Sequence, residues 1–231
     1  MKFFSMLHWA DWLALVCFFG FWSGYAHFAK VWGRQRPSLL ATTNRYRHYW
    51  MAQATARDPR MLDGVITQNL SSTPSFFSST SILIVGALFA LLGTTDKATE
   101  LMSEIPFAQA STLLAFEFKI LVLISVFVYA FFRFSWSMRQ YTFVALVIGS
   151  MPPPAAFESG QVEREAYVQR AGTLVASAAD SMNDGLRAYY FSFALLGWFV
   201  SPLVMVVATG VVVAVLYRRE FHSEVLHILK D

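Results

Sequence analysis

Two ionisable side chains inside a long apolar run are the first candidates for chemistry. Glu117 and Lys119 interrupt LLAFEFKILVLISVFVYAFF at 113–132, and charge placed in hydrocarbon is costly enough that such groups are functional candidates by default. Two positions on a helix are separated by about 200° of rotation, so the pair cannot bond to each other. Lys119 lies about 9 Å below position 113 at the helical rise, within reach of the nearer surface by snorkelling. Asp11, at the same depth in the first apolar run, is its candidate inter-helix partner, whereas Glu117 either pairs across helices or sits at headgroup level. A second candidate is SSTPSFFSSTS at 71–81, with eight hydroxyl residues. Ser78 and Ser81, at helical spacing with Val85, could line a water-filled path. The plainer reading makes Ser72 or Thr73 an N-cap, Pro74 a first-turn residue, and the other hydroxyls back-bonding groups.

A denser polar set comprises Asn44, Arg45 and Arg47, then Arg133 and Arg139, then Asp180, Asn183, Asp184 and Arg187. Asn183 and Arg187 are four apart and share a helix face, as do Asp180 and Asp184. The set is either a cap that enforces orientation or a charged vestibule, able to attract anionic lipid headgroups. The five histidines, His8, His27, His48, His222 and His227, show no ligand spacing. His27 alone is placed where an axial ligand could sit, without a second at matching depth. There is no phosphate-binding glycine loop, no GxSxG, no HExxH and no Cys/His cluster. No catalytic residue, metal or cofactor is therefore assigned, and an enzyme is disfavoured.

The elements that must carry these residues are membrane helices. Four apolar runs, about 12–32, 76–93, 113–132 and 188–216, approach the roughly 20 residues that cross a bilayer. Hydrophobic residues make up 56% of the 231 and charged ones 14%, which places the chain in the membrane class. Trp9, Trp12, Trp32 and Trp136 fall near run ends, as an interfacial belt requires, while Trp22 and Trp198 lie deeper as packing residues. Cys17 is the lone cysteine and cannot form an intrachain disulfide. A net charge of +3 gives no support to a nucleic-acid partner. The first run reads as a retained helix rather than a signal peptide, because Lys30, Arg34 and Arg36 stand where a small-residue cleavage site belongs.

Lys30, Arg34, Arg36, Arg45, Arg47, Arg57 and Arg60 follow the first run, and Arg133, Arg139, Arg164, Arg170 and Arg187 the third; Lys97 stands against Asp96, Glu100 and Glu104 between the second and third. The positive-inside rule makes the two Arg-rich segments cytoplasmic, and four crossings then put both termini outside. Arg218 and Arg219, directly after the last run, dissent. The apolar stretch at 141–151 is about half a span and ends at Pro152, Pro153 and Pro154, which predicts a re-entrant or interfacial element. Cytoplasmic helical segments are expected at about 39–70 and 133–187. In the first, Leu39, Tyr46, Tyr49, Trp50 and Met51 are available to one amphipathic face. In the second, Ala171, Gly172, Ala176, Ser177, Ala178 and Ala179 suit close packing against a neighbour or a second copy. This helix is expected to run on into the fourth span with a bend near Gly185 or Pro202, and the third span to project past Arg133. The fold class is all-α, a polytopic membrane helix bundle forming one domain over 1–231.

The stretches NRYRHYW (44–50), SFFSSTSILIVGALFALLG (75–93), RFSWSMRQY (133–141), NDGLRAYYFSFALLGWFVSP (183–202) and VLYRREFHS (215–223) together resemble the multi-pass membrane family known as domain of unknown function 599, found in bacteria and plants. The resemblance runs over nearly the whole chain and implies a one-domain membrane protein of the bacterial inner (plasma) membrane. It implies no substrate, cofactor or catalytic residue. The residues themselves point first to a homo-oligomeric ion channel or small-solute transporter in the lipid bilayer, because hydroxyls and charges stand where a structural bundle has no need of them. The alternative is a non-catalytic scaffold or accessory subunit.

Overall fold

Every regular element among the described residues is a helix, and the longest ones run well beyond the apolar runs that announce them. The computed structural model describes residues 7–33, 37–95 and 112–229. Its helices are α1 (Trp9–Trp32), α2 (Leu39–Ala54), α3 (Met61–Leu92), α4 (Leu113–Gly149), α5 (Pro154–Glu158), α6 (Arg164–Val200), α7 (Pro202–Phe221) and α8 (Glu224–Leu229). Four of these are long and apolar enough to cross a membrane: α1, α3, α4 and the stretch from Pro202 to Leu229. Lys97 and the acidic residues 96, 100 and 104, with Lys2, Arg34, Arg36 and Lys230, lie outside the described residues.

Local chemistry sets several of the boundaries. The Ser38 hydroxyl accepts from the Ala41 amide to open α2, and the Thr112 hydroxyl accepts from the Ala115 amide to open α4. Pro74 opens nothing, because it lies inside α3, thirteen residues past its start. Ser71 and Ser72 are no N-caps either: their hydroxyls donate back to the carbonyls of Gln68 and Asn69. Pro74 removes one helical donor, but the turns on both sides hold the helix through. The stretch at 141–151 is likewise no separate re-entrant element. Residues 141–149 are the last turns of α4, which stops where Pro152 to Pro154 cannot continue it.

The run at 188–216 does not make one crossing. Ser201 adopts an extended backbone (φ −162°, ψ 158°), ends α6 and caps α7 by accepting from the Val204 amide. Pro202 then starts α7 in the first-turn position that tolerates it. A Cβ on Gly197 would lie 3.0 Å from Val204 Cγ1 and 3.3 Å from the Met205 amide nitrogen, so glycine lets the first turn of α7 fold back on α6. The two helices form an antiparallel hairpin, since Arg219 near the end of α7 bonds Tyr190 of α6, and Phe221 of α7 packs on Phe28 of α1. Gly185 does not break the helix. It lies within unbroken α6 and makes room for the Phe134 ring, which a Cβ would meet at 2.5 Å.

This hairpin changes the threading. Asp11 and Trp198 meet at one end of the bundle; Lys30, Arg133, Asp184 and Arg219 gather at the other. Trp9 and Phe221 therefore lie at opposite ends, not on one side as a four-crossing count requires. The dissent of Arg218 and Arg219 disappears, since α7 brings them to the end that Lys30 and Arg133 occupy. Asp11 and Lys30 stand about 28 Å apart along α1 at the helical rise, close to the roughly 30 Å of a bilayer's hydrocarbon.

The two largest clusters of the core lie at different levels. Between the polar ends, Phe18, Phe127, Phe134, Phe191, Leu195, Trp198 and Met205 interlock from α1, α4, α6 and α7. Beyond Arg133, Met51 of α2 packs with Tyr141, Val144 and Ile148 of α4 and Ala171, Val175 and Ala178 of α6. The small residues of α6 thus face α2 and α4 of the same chain. Trp50 joins this second core, whereas Tyr46 and Tyr49 are exposed, because Met51 stands about 140° around α2 from Tyr46. Within the segment 39–70 the chain divides at 55–60 between α2 and α3.

Arg60 closes the second core. Its guanidinium donates to the carbonyls of Ala54, Met151 and Pro152, tying the end of α2 to the end of α4. Arg60→Ala is expected to lower unfolding stability by about 2 kcal/mol, since a charge-assisted donor is lost and carbonyls go unpaired. Arg60→Lys should recover only part, because a single ammonium cannot reproduce the fork. Thermal unfolding in detergent micelles measures both; equal stability of Arg60→Ala and wild type refutes the clamp.

Candidate functional site

At the basic end of the bundle, four helices deliver charged side chains to one carboxylate and its neighbour. Asp184 of α6 accepts from Arg133 of α4 at 2.5 Å and from Lys30 of α1 at 3.5 Å through Oδ2, and from Arg187, one turn further on α6, at 3.1 Å through Oδ1. Asp184 and Arg187 are both buried, and the Arg187 guanidinium also lies over the Tyr25 ring at 5.8 Å. Lys30 is more than half exposed, so it contributes least to the cluster. The α6 sequence explains the arrangement, because a spacing of three or four residues puts Asp180, Asp184 and Arg187 on one face.

Asp180 is the anomaly. Its Oδ1 is buried without a hydrogen-bond partner among the described residues. Burial, and after it the charge of Asp184, pushes its carboxyl above the usual carboxylate range, against the opposing pull of Lys30, Arg47 and Arg187. Burial also pulls the Arg47 guanidinium below its ordinary value, with the charge of Asp180 among the effects opposing this. Arg47 donates to Asn44 Oδ1 at 2.5 Å and to the Thr43 hydroxyl at 3.1 Å. A polar seam continues between α4 and α6: Gln140 donates to the Ser177 hydroxyl at 2.6 Å and accepts from Ser181 at 2.8 Å, while Ser137 donates to the Ala178 carbonyl.

Of the polar set picked out in the sequence, Asp180, Asp184, Arg133 and Arg187 come together, with Asn44 and Arg47 at their edge. Asn183 lines a small adjoining cavity of about 100 Å³ with Arg187 and Arg219. Arg45 and Arg139 are exposed, and Arg139 lies over the Phe143 ring instead. Lys30 and Tyr25 belong to the site although the sequence marked Lys30 only as a topology signal. Its position at the inner end of the first run, level with Arg133, was the available sign.

The hydroxyls of α3 sit at a helix contact. Ser78 shares a 2.8 Å hydrogen bond with Ser135; Ser81 bonds the Phe77 carbonyl at 2.7 Å and the Tyr189 hydroxyl at 2.9 Å. Tyr189 is boxed by Phe77, Phe127 and Phe134, with ring centroids 5.2–5.5 Å away. At the opposite end of the bundle, Lys119 is buried, donates to the Trp198 carbonyl at 3.0 Å and lies 5.5 Å from the Trp198 ring, while the Trp198 indole donates to Asp11 at 2.7 Å. Asp11 and Lys119 therefore meet through Trp198. Glu117 accepts from the Thr95 hydroxyl at 3.4 Å. His27 is exposed on α1. Among the described residues, no three of His, Cys, Asp and Glu come together as a metal site.

Removing Asp184 strands Arg187 and Arg133 without their anion, so Asp184→Ala is expected to cost at least about 3 kcal/mol in a denaturation series; a loss below 1 kcal/mol would show the cluster to be loose. For Asp180 the sign is opposite. A carboxyl whose value is raised by folding binds its proton more tightly in the native state, so stability grows as pH falls through the raised value and is fully gained below the ordinary carboxylate value. Asp180→Asn should flatten that part of the stability profile and leave the neutral-pH melting temperature equal or higher. An unchanged pH profile would refute the assignment.

No curated protein and no solved structure matches the chain. The family described as "Protein of unknown function, DUF599" matches residues 13–225, from within α1 to within α8 and including every residue around Asp184. The chain, with its buried cation–carboxylate cluster and four membrane-length apolar helices, belongs to that family.

Proposed function

We propose that this membrane protein passes a small charged solute, with the cluster on Asp184 as its working site. The observation that carries the reading is that three helices place cations on one buried carboxylate while the neighbouring Asp180 keeps an unpartnered oxygen. Ionisable groups gathered where helices leave hydrocarbon are candidates for ion and solute paths, because burying them costs energy that packing alone does not call for. Any movement of α1, α4 or α6 must exchange partners at Asp184, so occupancy of the site and helix position are linked. The basic end faces the cytoplasm by the positive-inside rule, which puts the N-terminus outside and Arg218 and Arg219 inside, in the inner (plasma) membrane of a bacterium. In the proposed homo-oligomer each copy carries its own path past Asp184, and Ser78 and Ser81 do not line it, because their hydroxyls are already engaged within the chain.

The scaffold reading has one observation in its favour. Past the charged level, α3 and α4 leave Leu62, Val65, Phe143 and Leu146 exposed, an apolar surface beyond the bilayer-length part of the bundle that suits a docking partner.

Purified protein in proteoliposomes, tested with chloride and with potassium gradients, separates the two. Transport predicts flux above empty vesicles, at least tenfold lower for Asp184→Asn, with Asp180→Asn altering its pH dependence. Absence of flux for every ion tested, together with stoichiometric co-purification of another protein, would leave the scaffold reading in place.

A further inference from the structure

A second feature, on the outer surface of α1 and α7, is independent of transport. The two helices diverge around a groove of about 610 Å³ whose floor is Gly20, Gly24, Gly210 and Ala214 and whose walls include Phe21 and Tyr217. A Cβ added at Gly20, Gly24 or Gly210 meets nothing within 4 Å, so the floor is open rather than packed. From Cys17 to Phe28 the groove follows α1 for about 16 Å at the helical rise, about the depth of one leaflet's hydrocarbon.

The groove ends at chemistry of a different kind. Tyr25 lines both the groove and the cavity of about 100 Å³ that holds Asn183, Arg187, Tyr190, Arg219 and Glu220. Arg187 is engaged with Asp184, but Arg219 is exposed and spends one donor on the Tyr190 hydroxyl while its guanidinium lies 5.4 Å from that ring. Arg218, beside it, is exposed too, and the Asn183 side chain lines the same pocket. Glu220 is occupied by the Leu40 amide at 3.0 Å. An apolar groove one leaflet long thus shares Tyr25 with a cationic, hydrogen-bonding pocket where the helices leave the hydrocarbon.

We propose that the groove between α1 and α7 binds one anionic phospholipid, an acyl chain along Gly20, Gly24 and Gly210 and the phosphodiester at Arg219 with Arg218 and Asn183. Charge selects this occupant over a second copy of the chain. Copies in one membrane share an orientation, so an α1 laid into the groove would bring its Lys30 to the end already held by Arg218 and Arg219. A phosphodiester there meets free guanidinium donors in the geometry that arginine favours, and inner-leaflet basic residues draw anionic lipid to the same level.

Native mass spectrometry of the full chain from micelles carrying equal phosphatidylglycerol and phosphatidylcholine tests the proposal. The expected result is one retained phosphatidylglycerol per protomer, favoured about tenfold over phosphatidylcholine, with excess inorganic phosphate displacing neither. Arg218→Ala with Arg219→Ala should bring the two lipids to parity. Gly24→Leu, filling the floor from α1, should reduce retention of both, and Gly210→Leu does the same from α7 should the first variant fold poorly. Equal retention of the two lipids by the wild-type protein overturns the headgroup assignment. Unchanged retention in the filled-groove variants, or a wild-type dimer that either variant converts to monomer without changing lipid retention, overturns the site.

Discussion

Burying Asp184 between Lys30, Arg133 and Arg187 fixes the depth of three helices relative to one another. Interdigitated apolar side chains resist sliding, and the ion cluster adds an electrostatic penalty to any change of axial register. A carboxylate in a low-dielectric setting is unforgiving, because a displaced cation leaves an uncompensated charge behind. The aromatic packing between the polar ends depends on that register. Phe134, one position from Arg133, enters the gap at Gly185, one position from Asp184, and a shift of one helical turn would drive its ring into α6.

The opposite end is held by a different kind of bond. Trp198 donates its indole to Asp11 and offers its carbonyl to Lys119, so a single residue near the α6–α7 turn joins α1 and α4. Such a carbonyl is available because α6 stops three residues later, and the last carbonyls of a helix lack intrahelical donors. The same break creates the hairpin that returns α7 to the basic end. Capping chemistry at Ser201, rather than apolar length, therefore decides which way the chain leaves the bundle.

Much of the architecture is legible from residue type. All-helical class, four membrane-length elements, the projection of α4 past Arg133 and the shared face of Asp180 and Asp184 follow from apolar run length and helical periodicity. Part of the candidate site is legible for the same reason, since its α6 members are related by a spacing of three or four. The remainder is not. Lys30 and Tyr25 join the site from α1 over long sequence separations. Ser78 and Ser81 read as pore-lining because their partners, Ser135 and Tyr189, are 57 and 108 positions away.

The outward faces repeat this division. Buried residues of α3 in its apolar half are Ser78 and Ser81, while Phe76, Leu83 and Phe89 face outward, the reverse of a water-soluble helix. Composition and run length determined by themselves that the chain is helical and suited to hydrocarbon, because both depend on sums over neighbouring residues. Only the tertiary structure decided that the last apolar run folds back on itself, that α3 turns Ser78 and Ser81 inward and that Arg218 and Arg219 join the basic end. Each of those outcomes depends on which distant partner satisfies a polar group, and local sequence carries no record of that choice.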